Sequence, residues 1–202
     1  MDTSDKIGLK HFKEGLNFIN ISSEIMSIFE WKPPDSLKNY ALDLKIIKDY
    51  AMEDIFFHIY KGNSKIVHIK KGTLIYTVGA KNDVQFQLLE ALLEKISEEF
   101  SAMYDVDVIL SFENVSTNVF RNFDTVLDDI LNDFADLNLI KKIDAYCRVC
   151  KKVLPVYVKK SFIKNAEDFP VPLVYTHKGH AVLVFIDMNF DVRGVELVNM
   201  TG

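Results

Sequence analysis

The sequence predicts an α+β fold in two parts, and three observations lead to that expectation. Apolar residues alternate with period two from Ile55 to Val78, then shift to helical spacing from Asp83 to Met103. Short alternating segments return from Val171 onward, as a second meander. Between the two lie the only cysteines, Cys147 and Cys150, whose spacing is repeated further on by His177 and His180. The expected division is a mixed sheet flanked by helices over residues 1–140, and a small antiparallel β module over 141–202.

The N-terminal segment is read as a hairpin, Ile7 to Lys13 and Leu16 to Ile21 around Glu14-Gly15, although Phe12, Leu16 and Ile19 also fit a helix. Pro33-Pro34 interrupts it, and Asp35 caps a helix through Leu37, Leu42, Leu44, Ile47 and Tyr50. Three strands follow. Ile55 to Tyr60 ends at Lys61-Gly62-Asn63-Ser64, Lys65 to Ile69 ends at Lys70-Lys71-Gly72, and Thr73 to Val78 breaks at Gly79.

The helix from Asp83 to Met103 carries Leu88, Leu89, Leu92, Ile96 and Phe100 on one stripe. Glu90, Glu94, Lys95, Glu98 and Glu99 are expected to face outward, and Asn82 with Gln85 to cap the start. Val106 to Phe112 reads as a short strand. A second helix is expected from Ser116 to about Leu137, burying Val119, Phe123, Val126, Leu127, Ile130, Phe134 and Leu137. Beyond the cysteines come a short helix from Ser161 to Phe169 and the strands Val171–Thr176, Ala181–Ile186 and Val192–Val198. Asp187-Met188-Asn189-Phe190-Asp191 resembles a calcium loop at first sight. Val192 and Val198 stand where such a loop needs Gly and Glu, so it is read as a turn.

Composition narrows the class. The chain has 202 residues, 49% of them hydrophobic and 26% charged, which is ordinary for a globular protein with a real core. No apolar run approaches the ~18 residues that suggest a membrane span. The polar start Met1-Asp2-Thr3-Ser4-Asp5 lacks the basic and apolar segments of a secretory signal, which points to a soluble cytoplasmic protein. Two cysteines without an export signal favour a reducing compartment over a disulfide framework. The net charge of −5 argues mildly against a surface that coats nucleic acid or anionic lipid. Acidic residues dominate from Asn82 to Asp144, notably Asp128, Asp129, Asp133 and Asp136, and Asp124, Asp128, Asp129 and Asp133 line the expected wet side of the second helix.

Cys147, Cys150, His177 and His180 supply what a tetrahedral Zn²⁺ site needs: four borderline ligands in two short pairs. If Lys178-Gly179 is a two-residue turn, the histidines stand directly opposite each other, with Cβ atoms roughly 4.5–5.5 Å apart. The spacing differs from a Cys₂His₂ finger and is closer to a zinc ribbon, in which two knuckles face one ion. Four protein ligands leave no open position for water, so the zinc would be structural. The bland alternative is two half-buried thiols and a cross-strand histidine pair. Thiol redox chemistry is a third reading, but the expected strand before and helix after a thioredoxin-like pair are missing.

A basic stretch surrounds the cysteines. Arg148, Lys151, Lys152, Lys159 and Lys160 would contact phosphates if the module were a nucleic-acid-binding zinc ribbon, the alternative function; a solvated face is the commoner use of such charges. Catalysis has little support: the phosphate loop, the dinucleotide fingerprint and the nucleophile elbow are all missing from the sequence. His11, His58 and His68 read as packed or surface residues. Trp31 reads as a binding hot spot or, more commonly, a staple over the core.

The order of elements resembles the longin (SNARE-like) fold: two opening strands, a helix, a three-strand meander and a long amphipathic helix. Within it, Lys65-Ile66-Val67-His68, Thr73 to Val78, Lys81-Asn82-Asp83, the long helix and Val106 to Phe112 are similar to successive pieces of adaptor-complex sigma subunits. The helix from Ser116 would be the terminal longin helix. The cysteine–histidine segment has no counterpart there. The resemblance implies a non-catalytic interaction or scaffold subunit of membrane-trafficking or GTPase-linked machinery. Its implied partners are a small GTPase or another longin- or roadblock-type subunit, in a homo- or hetero-dimer.

Overall fold

The computed structural model describes residues 12–34, 51–111, 116–177 and 180–198; for His177 and His180 it describes the backbone alone. The chain divides into two compact units, Met1–Leu137 and Asn138–Gly202. The class is α+β with antiparallel sheets.

In the first unit, β1 (Leu16–Ser22), β2 (Ser27–Trp31), β3 (Phe56–Lys61), β4 (Ser64–Lys71) and β5 (Leu74–Lys81) form one sheet in the order β2-β1-β5-β4-β3. The opening hairpin lies one strand later than expected. Lys13–Gly15 is a single 3-10 turn, and β1 folds back on β2 through Ser23–Met26, where the Ser23 hydroxyl accepts from the amides of Ile25 and Met26. Every residue of β1 is buried, as befits a strand with neighbours on both sides. Of the partner strand expected over Ile7 to Lys13, residues 7–11 lie outside the described residues, as does the helix through Leu37 to Tyr50.

Gly62 and Gly72 take positive φ in the two meander turns, where a side chain would be strained. β5 does not break at Gly79 but runs through it to Lys81. Gly79 pairs with Phe18 across β1, and a Cβ there would collide with the Phe18 ring. The glycine makes room for an aromatic; it does not end the strand.

The long helix, α1, spans Phe86–Met103 and packs on β4 and β5. It starts three residues later than the sequence suggested, and no side chain caps it; Asn82 instead donates to the Gly62 carbonyl. Leu89, Leu92, Leu93, Ile96 and Phe100 are wholly buried. Phe100 meets Tyr76 edge-on at 6.3 Å and Phe123 at 5.0 Å, tying sheet to helix.

Val106 to Leu110 is a helix, α2, where a strand was expected. Asp105 caps it by accepting from the amide of Val108, and Asp107 accepts from the Thr73 hydroxyl at 2.8 Å. The second helix is shorter than expected. A 3-10 turn over Thr117–Phe120 precedes α3 (Phe123–Asn132), and Val119 is exposed because that turn rotates it off the buried stripe.

In the second unit, β6 (Ile140–Cys147) pairs with β7 (Lys152–Lys159), and α4 (Lys160–Lys164) follows. β8 (Val171–His177), β9 (His180–Ile186) and β10 (Val192–Val198) form a sheet in the order β10-β9-β8. Ala145, Cys147, Val156 and Val158 from one sheet join Val182, Val184 and Ile186 from the other in one core with Ile163. The Asp187 carboxylate accepts from the amides of Asn189 and Asp191 and from Arg193, which makes the β9–β10 connection a closed Asx turn. These bonds, the Asp191 amide first, hold its carboxyl below the ordinary range.

Candidate metal centre

The β6–β7 pairing ends with Cys147 opposite Lys152, so the four residues from Arg148 to Lys151 make a tight turn. Lys151 takes positive φ within it. Cys147 is fully buried, Cys150 is half-buried, and neither forms a disulfide. The amides of Cys150 and Val149 donate to the Cys147 sulfur, the first of them the main reason its thiol lies below the ordinary range; burial opposes them. Donors aimed at a sulfur stabilise the thiolate, which is the form that binds a metal. A strand does precede the pair, contrary to expectation, but a second strand follows it where a redox pair would have a helix.

The second half of the expected site is a β-ribbon end. His177 and His180 are the last Cα pair of β8 and β9, directly opposite across the ribbon. Lys178-Gly179 and both imidazole rings lie outside what the structure describes. A cavity of about 220 Å³ is lined by Arg148, Val149, Val182, Val195, Glu196 and Leu197, which sets the knuckle turn against β9 and β10. His180 precedes Val182 by two residues, roughly 7 Å along a strand. Arg148 and Val149 of the turn thus share a cavity lining with Val182, two residues beyond His180. Among the described residues no three His, Cys, Asp or Glu side chains cluster around one point.

The five basic residues do not form one patch. Arg148, Lys151 and Lys152 are exposed at the turn, whereas Lys159 is buried at the far end of β7, roughly 23 Å along the strand from Lys152. Lys160 is bonded to Asn138.

No protein-family model and no curated protein matches this chain. Among the described residues no helix is long and apolar enough to cross a membrane.

Two polar groupings in the first unit escaped the sequence reading. Glu90, expected to face outward, is buried and bonds His58 Nε2 at 2.9 Å; the His58 ring stacks on Phe86 at 4.1 Å. Lys65 sits over the same Phe86 ring at 4.7 Å and donates to the Val84 carbonyl, and desolvation lowers its pKa. On the opposite face, Asn20, Thr77 and His68 stand in register across β1, β5 and β4, all buried. Among the described residues, Asn20 Oδ1, Thr77 Oγ1 and both His68 ring nitrogens have no hydrogen-bond partner. Burial, with the charge of His58 second, pushes the His68 pKa down to about 4. Trp31 is half-buried at the end of β2, paired with Ile19.

Proposed function

We propose that the protein is a non-catalytic interaction subunit of the longin type, to which a structural zinc ribbon is appended. The observation that carries the reading is the order of elements in the first unit: a hairpin, an intervening segment, a three-strand meander and a long helix packed on the sheet. Among the described residues the sheet has β2 and β3 at its edges, and an edge strand offers backbone groups to a partner. The second unit has a core of small and aliphatic residues spread over short strands. A metal would add folding free energy to such a core. Cys147 and Cys150 would hold the ion from one side and His177 and His180 from the other. The bound ion supplies cross-linking and no chemistry.

Purification of the tagged full chain from its native host tests the interaction role. A stoichiometric small GTPase or second longin- or roadblock-type subunit supports it. Retention of nucleic acid alone, lost at high salt and on neutralising Arg148, Lys151 and Lys152, would replace it with the nucleic-acid-binding reading.

A further inference from the structure

The second unit carries a groove that neither the expected zinc site nor the longin resemblance uses. Lys160, Ile163, Lys164, Ala166, Phe169, Met188 and Phe190 line a cavity of about 400 Å³, within the range of ligand-binding clefts. Its floor is aliphatic and aromatic, Ile163, Ala166 and Phe190, and its walls are Phe169, 38% exposed, and Met188, 64% exposed. Exposed apolar side chains gathered beside a concave surface mark an interaction site in a way that scattered ones do not. Methionine adapts its shape to varied apolar guests.

The ionisable side chains that line the groove are basic; Glu167 and Asp168, both exposed, lie in the chain between Ala166 and Phe169. Lys160 and Lys164 are the only ionisable residues among its lining, and Lys141 stands over the outer Phe190 ring at 4.8 Å. The region 138–202 as a whole carries ten Lys and Arg against six Asp and Glu, in a chain whose net charge is −5. We infer that the groove docks an acidic linear peptide of a partner protein, a bulky apolar side chain entering between Phe169 and Met188 while flanking carboxylates meet Lys160 and Lys164. A nucleic-acid strand fits less well. Three ammonium groups, Lys141 included, neutralise few phosphates, so a strand would gain little from its backbone even with the Phe169 and Phe190 rings open to stacking.

The inference does not rest on the longin reading, because the groove lies wholly in the second unit. Its test is selection of a random-peptide phage library on the immobilised full chain, followed by fluorescence anisotropy of the enriched peptides and of single-stranded oligo-dT. The expected consensus is a bulky apolar residue flanked by Asp or Glu. Met188→Glu and Lys164→Glu, both at exposed positions, should each weaken it about tenfold or more, with an unchanged thermal midpoint. Failure to enrich any peptide, a neutral or basic consensus, or undiminished binding in both variants would overturn it. So would tight oligo-dT binding that the same substitutions abolish. None of these outcomes bears on co-purification with a GTPase or longin-type subunit, which judges the other reading separately.

Discussion

The amide of Cys150 donates to the sulfur of Cys147 across the turn that joins β6 to β7, and this bond is the main cause of the lowered thiol pKa. Cys147 also belongs to the apolar core of the second unit. As a metal ligand, Cys147 would couple binding of the ion to the folding of everything packed around it. Cys147→Ser or His180→Ala should therefore abolish amide-exchange protection across β6 to β10 while the α1 amides stay protected. Protection of the second unit at the wild-type level in either variant would contradict a structural ion.

Thr77 and His68 face each other in the β4–β5 register, with no partner for Thr77 Oγ1 or the His68 ring nitrogens among the described residues. Unpartnered buried polar atoms cost ~1–3 kcal/mol each. Thr77→Val keeps the shape and removes one of them, so it should raise the unfolding free energy by ~1 kcal/mol, seen as a higher chemical-denaturation midpoint. A clear loss of stability would mean that the hydroxyl is satisfied.

His68 also sets a pH dependence. Its folded pKa of about 4 lies below the ordinary value of 6.5. The unfolded chain therefore binds a proton between these values that the folded chain refuses. Its share of stability is complete above pH ~6.5 and falls as pH drops toward ~4, by up to ~1.4 kcal/mol per pH unit. His68→Leu should flatten that slope relative to the parent chain. Parallel stability–pH curves for the two proteins would refute the assignment.

Gly79 is set by the Phe18 ring. Gly79→Ala should destabilise the first unit by ~1–3 kcal/mol through overpacking, measured by urea denaturation. Pairing it with Phe18→Leu should recover part of the loss, since the smaller side chain vacates the space.

How far the fold could be read from the residues follows from which interactions are local. The meander was legible because period-two alternation and Gly62 and Gly72 mark strands and turns within a few residues. The stripe of α1 was legible for the same reason. Val106 to Leu110 misled because five residues satisfy both periods: Val106, Ile109 and Leu110 also fall on one helical face, and the Asp105 cap decides. Gly79 read as a breaker because its reason is a ring on another strand. Glu90 read as exposed because its partner, His58, comes from β3. The basic run around the cysteines read as one collar, but an extended β7 carries Lys159 and Lys160 far from Lys152. For the cysteine–histidine set, spacing predicted the ribbon register of His177 and His180, since a cross-strand pair is a property of the backbone.

Elemental analysis of the full chain, purified without chelators, tests the metal centre most directly. One zinc per chain is expected, falling to background in Cys147→Ser and His177→Ala. A folded, metal-free wild-type protein with a protected second unit would contradict it.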